Sequence, residues 1–116
     1  MPVIIDYTST ERMLPIPKKC KILAHDIVIK IEKEDFELRG LEGAANLHKD
    51  IVTVLDSEKF KRAPVQIETT FVEEILHHIG HILNIDWLKG LDDDENHKQV
   101  GRLAEALVQV FHTAEF

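Results

Sequence analysis

Residues 64–84 read PVQIETTFVEEILHHIGHILN, and the reading of this stretch decides the fold. Pro64 carries the fixed φ of a first helical turn, and from Val65 to Asn84 the apolar residues return with a 3.6-residue period. Phe71, Val72, Ile75, Leu76, Ile79, Ile82 and Leu83 form one stripe, about 140° wide. Asn84 supplies a stop. Thr70, Glu73, Glu74, His77 and His81 fall on the opposite side, and a face of that composition is expected to be solvated. The spacing predicts one amphipathic helix over 65–84.

Toward the N-terminus the period changes to two. Cys20 to Lys33 reads as a tight hairpin, with Ile22 and Leu23 before a polar His25-Asp26 turn and then Ile27, Ile29 and Ile31 alternating with Val28, Lys30 and Glu32. Glu34 to Gly43 is acidic and bounded by glycine, so it is expected as a loop. Ala44–Leu47 and Ile51–Leu55 flank the turn residues His48-Lys49-Asp50 and give a second hairpin. Met1 to Lys19 is weakly patterned: Val3-Ile4-Ile5 suits a short edge strand, and Pro15 and Pro17 mark an extended connector. Toward the C-terminus, Trp87 to Asn96 is expected as a solvated loop, with Ile85, Trp87 and Leu88 forming a lid on the core. A second helix follows from about Asn96 to His112, with Val100, Leu103, Ala104, Leu107, Val108 and Phe111 on one face. Strands followed by helices predict an α+β domain, a small antiparallel sheet of two hairpins packed on two main helices. The division expected is an N-terminal extension over 1–19 and a single domain over 20–116.

Bulk composition narrows the function classes. A chain of 116 residues with 44% hydrophobic and 30% charged residues suits one globular domain with one core. A formal charge of −7 opposes a nucleic-acid role, which needs clustered Lys and Arg; the basic run Lys18-Lys19-Cys20-Lys21 is too short to reverse that. One cysteine excludes an internal disulfide framework, and Cys20 reads as a buried strand thiol. No run reaches the roughly 20 apolar residues of a membrane span, and no signal-peptide pattern opens the chain, so a cytoplasmic protein is expected.

The polar side of the long helix carries the chemistry. The stretch from Glu73 to His81 holds three of the seven histidines and two adjacent carboxylates. Glu73, His77 and His81 are spaced by four and form one row; two such neighbours can chelate one ion. All three cannot, because the outer two lie about 12 Å apart along the axis. A third ligand must come from elsewhere. His97 is the best placed, at the start of the second helix on the edge of its apolar face, with Gly101 one turn later to allow close approach. His78 and His81 could form a separate pair with Glu74, whereas His25 and His48 are expected in exposed turns. Phe111 and Phe116 could support a homo-oligomer contact, with the oligomeric state left open.

Thr69-Thr70-Phe71-Val72-Glu73-Glu74-Ile75-Leu76-His77-His78-Ile79, preceded by two hairpins and followed by a second amphipathic helix, resembles the small phage and prophage zincin-like proteins. These are similar to the minimal ImmA/IrrE-type metallopeptidase domain, and the resemblance covers roughly residues 20–112. It places Glu74 on the family's catalytic glutamate and His77 on its second zinc histidine. The first histidine of the H-E-x-x-H motif is replaced by Glu73, which makes the motif degenerate. The family's glutamate ligand, just ahead of the stretch Val100-Gly101-Arg102-Leu103-Ala104, falls on His97. The resemblance thus implies the ligand set Glu73, His77 and His97. Two imidazoles and one carboxylate can hold Zn²⁺ with one open position, or a harder ion such as Fe²⁺ or Mn²⁺. It implies Glu74 as general base toward a peptide carbonyl, and an extended protein or peptide partner along the edge strand 51–55. Because Glu73 and Glu74 are adjacent like charges, the leading expectation is a catalytically degenerate protein, with or without metal, acting as a binding or regulatory module. The alternative is a metal-dependent peptidase with the altered ligand set.

Overall fold

The computed structural model describes residues 15–33, 42–56, 63–89 and 94–115. Its elements are β1 (Lys19–Ile22), β2 (His25–Glu32), β3 (Gly43–Asn46), β4 (Ile51–Leu55), α1 (Pro64–Leu83), α2 (Asp86–Lys89) and α3 (Asp94–Thr113). The α+β class, the two hairpins and the two main helices are present. Residues 1–14, including Val3-Ile4-Ile5, and 34–41 lie outside the described residues. Pro15–Lys18 does not stand apart from the domain: Ile16 packs on the core, and the Ile29 N–H donates to the Lys18 carbonyl at 2.9 Å.

The sheet is mixed, where a wholly antiparallel one was expected. β1–β2 and β3–β4 are antiparallel hairpins, but they join through a parallel β2–β4 pair, giving the order β1-β2-β4-β3. Residues 51–55 are therefore interior and not an edge strand: β4 pairs with β2 on one side and β3 on the other. The residue types explain the choice. Ile51, Val52, Thr53 and Val54 suit a strand flanked on both sides, while the small Gly-Ala-Ala-Asn of β3 is left at the rim. The register sets Ile29 beside Val52 and Ile31 beside Val54, so Ile27, Ile29, Val52 and Val54 make one buried apolar face. In the first hairpin the turn falls on Leu23-Ala24, with Leu23 at φ 52°, and His25 and Asp26 are already in β2. Two-residue hairpin loops need positive φ to match the strand twist, and Leu23 adopts it.

Helix α1 starts on Pro64, with the Ala63 N–H bonded to the Gln66 Oε1 at 3.0 Å. It stops at Asn84, whose left-handed conformation (φ 55°) lets the Ile85 N–H reach the Gly80 carbonyl at 2.8 Å. One side lies on the sheet through Ile67, Phe71, Ile75 and Ile82. The other meets α2 and α3, where Leu76, Leu88, Val100 and Ala104 form a second apolar cluster. The polar side of α1 is consequently not solvated as its composition led one to expect: Thr70, Glu74 and His77 are buried, and Glu73 and His81 are half-buried. The apolar stripe reaches the sheet at one edge and α3 at the other, and the polar residues between them are enclosed.

The expected loop after α1 contains α2, and α3 begins at Asp94, ahead of Asn96. The turn of helix in α2 brings Ile85 and Leu88 to the core, three residues apart, and sends Trp87 outward; Trp87 is 44% exposed and is not part of a lid. No helix among the described residues is long and apolar enough to cross a membrane.

Candidate metal centre

α3 crosses α1 with its contacts in reverse chain order: Glu68 near the start of α1 meets His112 near the end of α3, and Glu73 meets His97 at its beginning. That crossing brings Glu73, His77 and His97 together. One ligand atom from each lies within 4.8 Å of the other two, and this is the group of three or more such side chains found among the described residues. Glu73 Oε1 is 3.3 Å from His97 Nε2 and 3.9 Å from His77 Nε2. The two imidazoles stack nearly parallel with centroids 5.1 Å apart.

His77 decides how the group reads chemically. Its Nδ1 lies 3.2 Å from the Leu88 carbonyl oxygen, which can only accept, so the neutral ring carries its hydrogen on Nδ1. Nε2 is then left with a lone pair, buried and without a hydrogen-bond partner, on the side of Glu73 and His97. An orphaned buried acceptor is costly unless something occupies it. Histidines that bind metals are commonly oriented in this way, with the far nitrogen donating to a carbonyl. Two imidazole nitrogens and a carboxylate are also a donor set suited to Zn²⁺ or a similar divalent ion. The residues present fit such an ion.

The elements that aim His77 include one no sequence pattern marks. Leu88 offers only its backbone oxygen, a group every residue has, so nothing in the residue types singles it out. Gly80 is what lets Leu88 come so close: a Cβ there would lie 2.7 Å from the Leu88 carbonyl carbon. Gly101, by contrast, leaves room for a Cβ, whose nearest neighbours would be the Glu73 carboxylate atoms at 3.7–3.9 Å. The close approach needed a glycine on α1 rather than on α3.

Glu74 is packed toward β3. A Cβ on Gly43 would come 3.1 Å from Glu74 Cγ and 2.5 Å from Thr70 Cγ2. Burial pushes the Glu74 carboxyl up to about 7; His77 pulls the other way, and Glu73 adds to the rise. Burial alone would lower His77, but a protonated ring's hydrogen bond to the Glu73 carboxylate, the Glu74 charge, the Leu88 carbonyl and the Glu73 charge outweigh it and raise its pKa. Without a cation, the two groups therefore retain protons that a cation would displace.

The other histidines go elsewhere. His81, the last of the row of three, stands edge-on to His48, and His78 is fully buried with its Nε2 3.1 Å from Asp50 Oδ1. A grouping of Glu74 with His78 and His81 does not form among the described residues. His25 is not in a free turn: it sits on β2 with Nδ1 3.1 Å from Asp50 Oδ2. His112 and Glu68 form a buried pair at 2.8 Å, which the sequence pattern did not single out. The Cys20 thiol on β1 is half-buried, and burial raises its pKa.

No protein-family model, no curated protein and no solved structure matches the chain.

Proposed function

We propose that this chain is a metal-dependent hydrolase of the zincin-like type, with Glu73, His77 and His97 holding a divalent ion such as Zn²⁺ and Glu74 serving as general base toward a peptide carbonyl. The observation that carries the reading is the buried, unpartnered His77 Nε2 converging with Glu73 and His97. An ion at that point supplies Lewis acidity, polarising a carbonyl and making water a stronger acid. The rest falls to the chain. The Leu88 carbonyl fixes the His77 ring, and the His97 side chain, 56% exposed, keeps the group open to solvent. Glu74, next to Glu73 in sequence and responsive to the charges of both Glu73 and His77, has a proton affinity suited to accepting a proton near neutral pH. An extended peptide would pair along β3, the rim strand that packs against Glu74, since β4 has both edges taken.

A second reading rests on the burial of Glu74, which is 8% exposed. A base so enclosed meets a large substrate poorly, and this favours a catalytically degenerate binding or regulatory module that keeps only the metal.

The first test is metal content of protein purified without a histidine tag. Stoichiometric zinc at this site, with one equivalent lost in His77→Ala and in His97→Ala, is expected; absence of metal from folded wild type overturns both readings. Peptide hydrolysis by wild type against Glu74→Gln then separates them. Equal rates remove Glu74 from the chemistry and leave the binding module.

A further inference from the structure

Four of the seven histidines, His25, His48, His78 and His81, lie on the elements around the β3–β4 turn, away from Glu73 and His97. Asp50 ends that turn in a left-handed conformation (φ 54°). Its two carboxylate oxygens are both engaged, one by His25 of β2 and one by His78 of α1, each at 3.1 Å. The turn is closed further by the Lys49 N–H on Asn46 Oδ1 at 3.2 Å. The turn is thus docked on α1 at a fixed register.

That register has a consequence one helical turn further on. His48 precedes Asp50 by two residues, and His81 follows His78 by three, so the dock that seats Asp50 on His78 also sets His48 against His81. Their rings meet edge-to-face with centroids 6.3 Å apart. Neither ring has a hydrogen-bond partner among the described residues, and His48 is exposed while His81 is half-buried. An ion about 2.1 Å from each ring nitrogen would separate the two ring centres by about 5.2 Å at a tetrahedral angle and by about 6.4 Å if linear. The observed 6.3 Å lies near the linear end of that span, so the rings must close by about 1 Å to hold a tetrahedral ion, a shift that rotation of the exposed His48 side chain can supply.

We propose that His48 and His81 form a second, solvent-facing site for a borderline divalent ion, Zn²⁺ or Ni²⁺, with water completing its coordination. Asp50 is a positioning residue for it and not a ligand, because His25 and His78 already occupy both its oxygens. The site is distinct from Glu73–His77–His97, which faces α3, whereas His81 faces the β3–β4 turn.

The test is calorimetric titration of Zn²⁺ into tag-free, chelator-stripped full chain, with circular dichroism to verify folding. Wild type is expected to take up two ions. His48→Gln and His81→Gln are each expected to lose one and keep the other, and His77→Ala to lose the complementary one. If His48→Gln and His81→Gln both keep the wild-type stoichiometry, or wild type binds a single ion that His77→Ala abolishes, the proposal is overturned while the Glu73–His77–His97 reading stands. If the ion count drops in His48→Gln and His81→Gln but not in His77→Ala or His97→Ala, the second site stands and the first falls.

Discussion

Replacing Gly80 with alanine links the α1–α2 contact to metal affinity. The new Cβ would lie 2.7 Å from the Leu88 carbonyl carbon, 2.8 Å from the Lys89 nitrogen and 2.9 Å from Leu88 Cβ. Two of these are backbone atoms, so no side-chain rotation relieves the clash. α2 must retreat by roughly 0.7 Å to restore an ordinary contact, because packed interiors compress little. The same Leu88 carries the carbonyl 3.2 Å from His77 Nδ1. A retreat of that size along the bond lengthens it to about 3.9 Å, beyond hydrogen-bond range. The ring of His77 is then no longer held in the orientation that presents Nε2 to Glu73 and His97. Overpacking costs about 1–3 kcal/mol, offset by the about 0.5–1 kcal/mol gained when alanine replaces a mid-helix glycine. The expected net loss of stability is about 1–2 kcal/mol, which leaves a folded protein. Loss of the orienting hydrogen bond is expected to weaken zinc about 10–100-fold. Calorimetric titration beside a thermal melt measures both quantities. Gly101→Ala is the control: its Cβ meets only the Glu73 carboxylate at ordinary contact distance, so the expected result is near-wild-type zinc affinity and a slightly raised melting temperature. A folded Gly80→Ala protein with wild-type zinc affinity would refute the reasoning.

Further predictions concern protons and packing. Glu74 and His77 both bind protons more tightly in the folded chain than their ordinary values of 4.5 and 6.5. Their stabilisation of the metal-free protein is complete at acid pH and is lost as pH rises from about 4.5 through neutrality, so the urea midpoint should fall over that interval. Glu74→Gln should flatten the lower part of this profile; an unchanged slope would place the proton elsewhere. Zinc binding at neutral pH should release protons, seen as a buffer-dependent calorimetric heat, because the cation displaces those that Glu74 and His77 retain. His112→Ala should destabilise the fold by about 3–5 kcal/mol by removing one half of its buried pair with Glu68, read from denaturant unfolding. Gly43→Ala should cost about 1–3 kcal/mol because its Cβ runs into Thr70 and Glu74; a neutral effect would mean that β3 can move away from α1.

Much of the architecture is legible in local spacing. The period-two run of the first hairpin, the β-branched run of β4 and the period-3.6 runs of α1 and α3 follow from side-chain direction along strand and helix, so class, the order of the main elements and the bounds of α1 can be read from residues alone. The i, i+4 spacing of Glu73 and His77 is equally local, and so is the deduction that their third partner lies on another element. How the hairpins join was not legible: either edge of the second hairpin could meet β2, and the choice of the β-branched β4 over the small β3 depends on the whole sheet's pairing. Nor could spacing show that the polar side of α1 is enclosed, because a face is buried by what packs on it and not by its own composition.

By itself, then, the sequence determined the four strands and two long helices, the amphipathic faces of those helices and the short list of candidate ligands, since each follows from interactions a few residues apart. Only the tertiary structure decided that Glu73 and His77 meet His97, that Leu88 turns the His77 ring, that β4 is interior, and that Asp50 gathers His25 and His78. Each of those depends on long-range packing, with partners 11 to 28 residues apart in the hydrogen bonds that hold the rings. A backbone carbonyl such as that of Leu88 leaves no mark in the residue types at all.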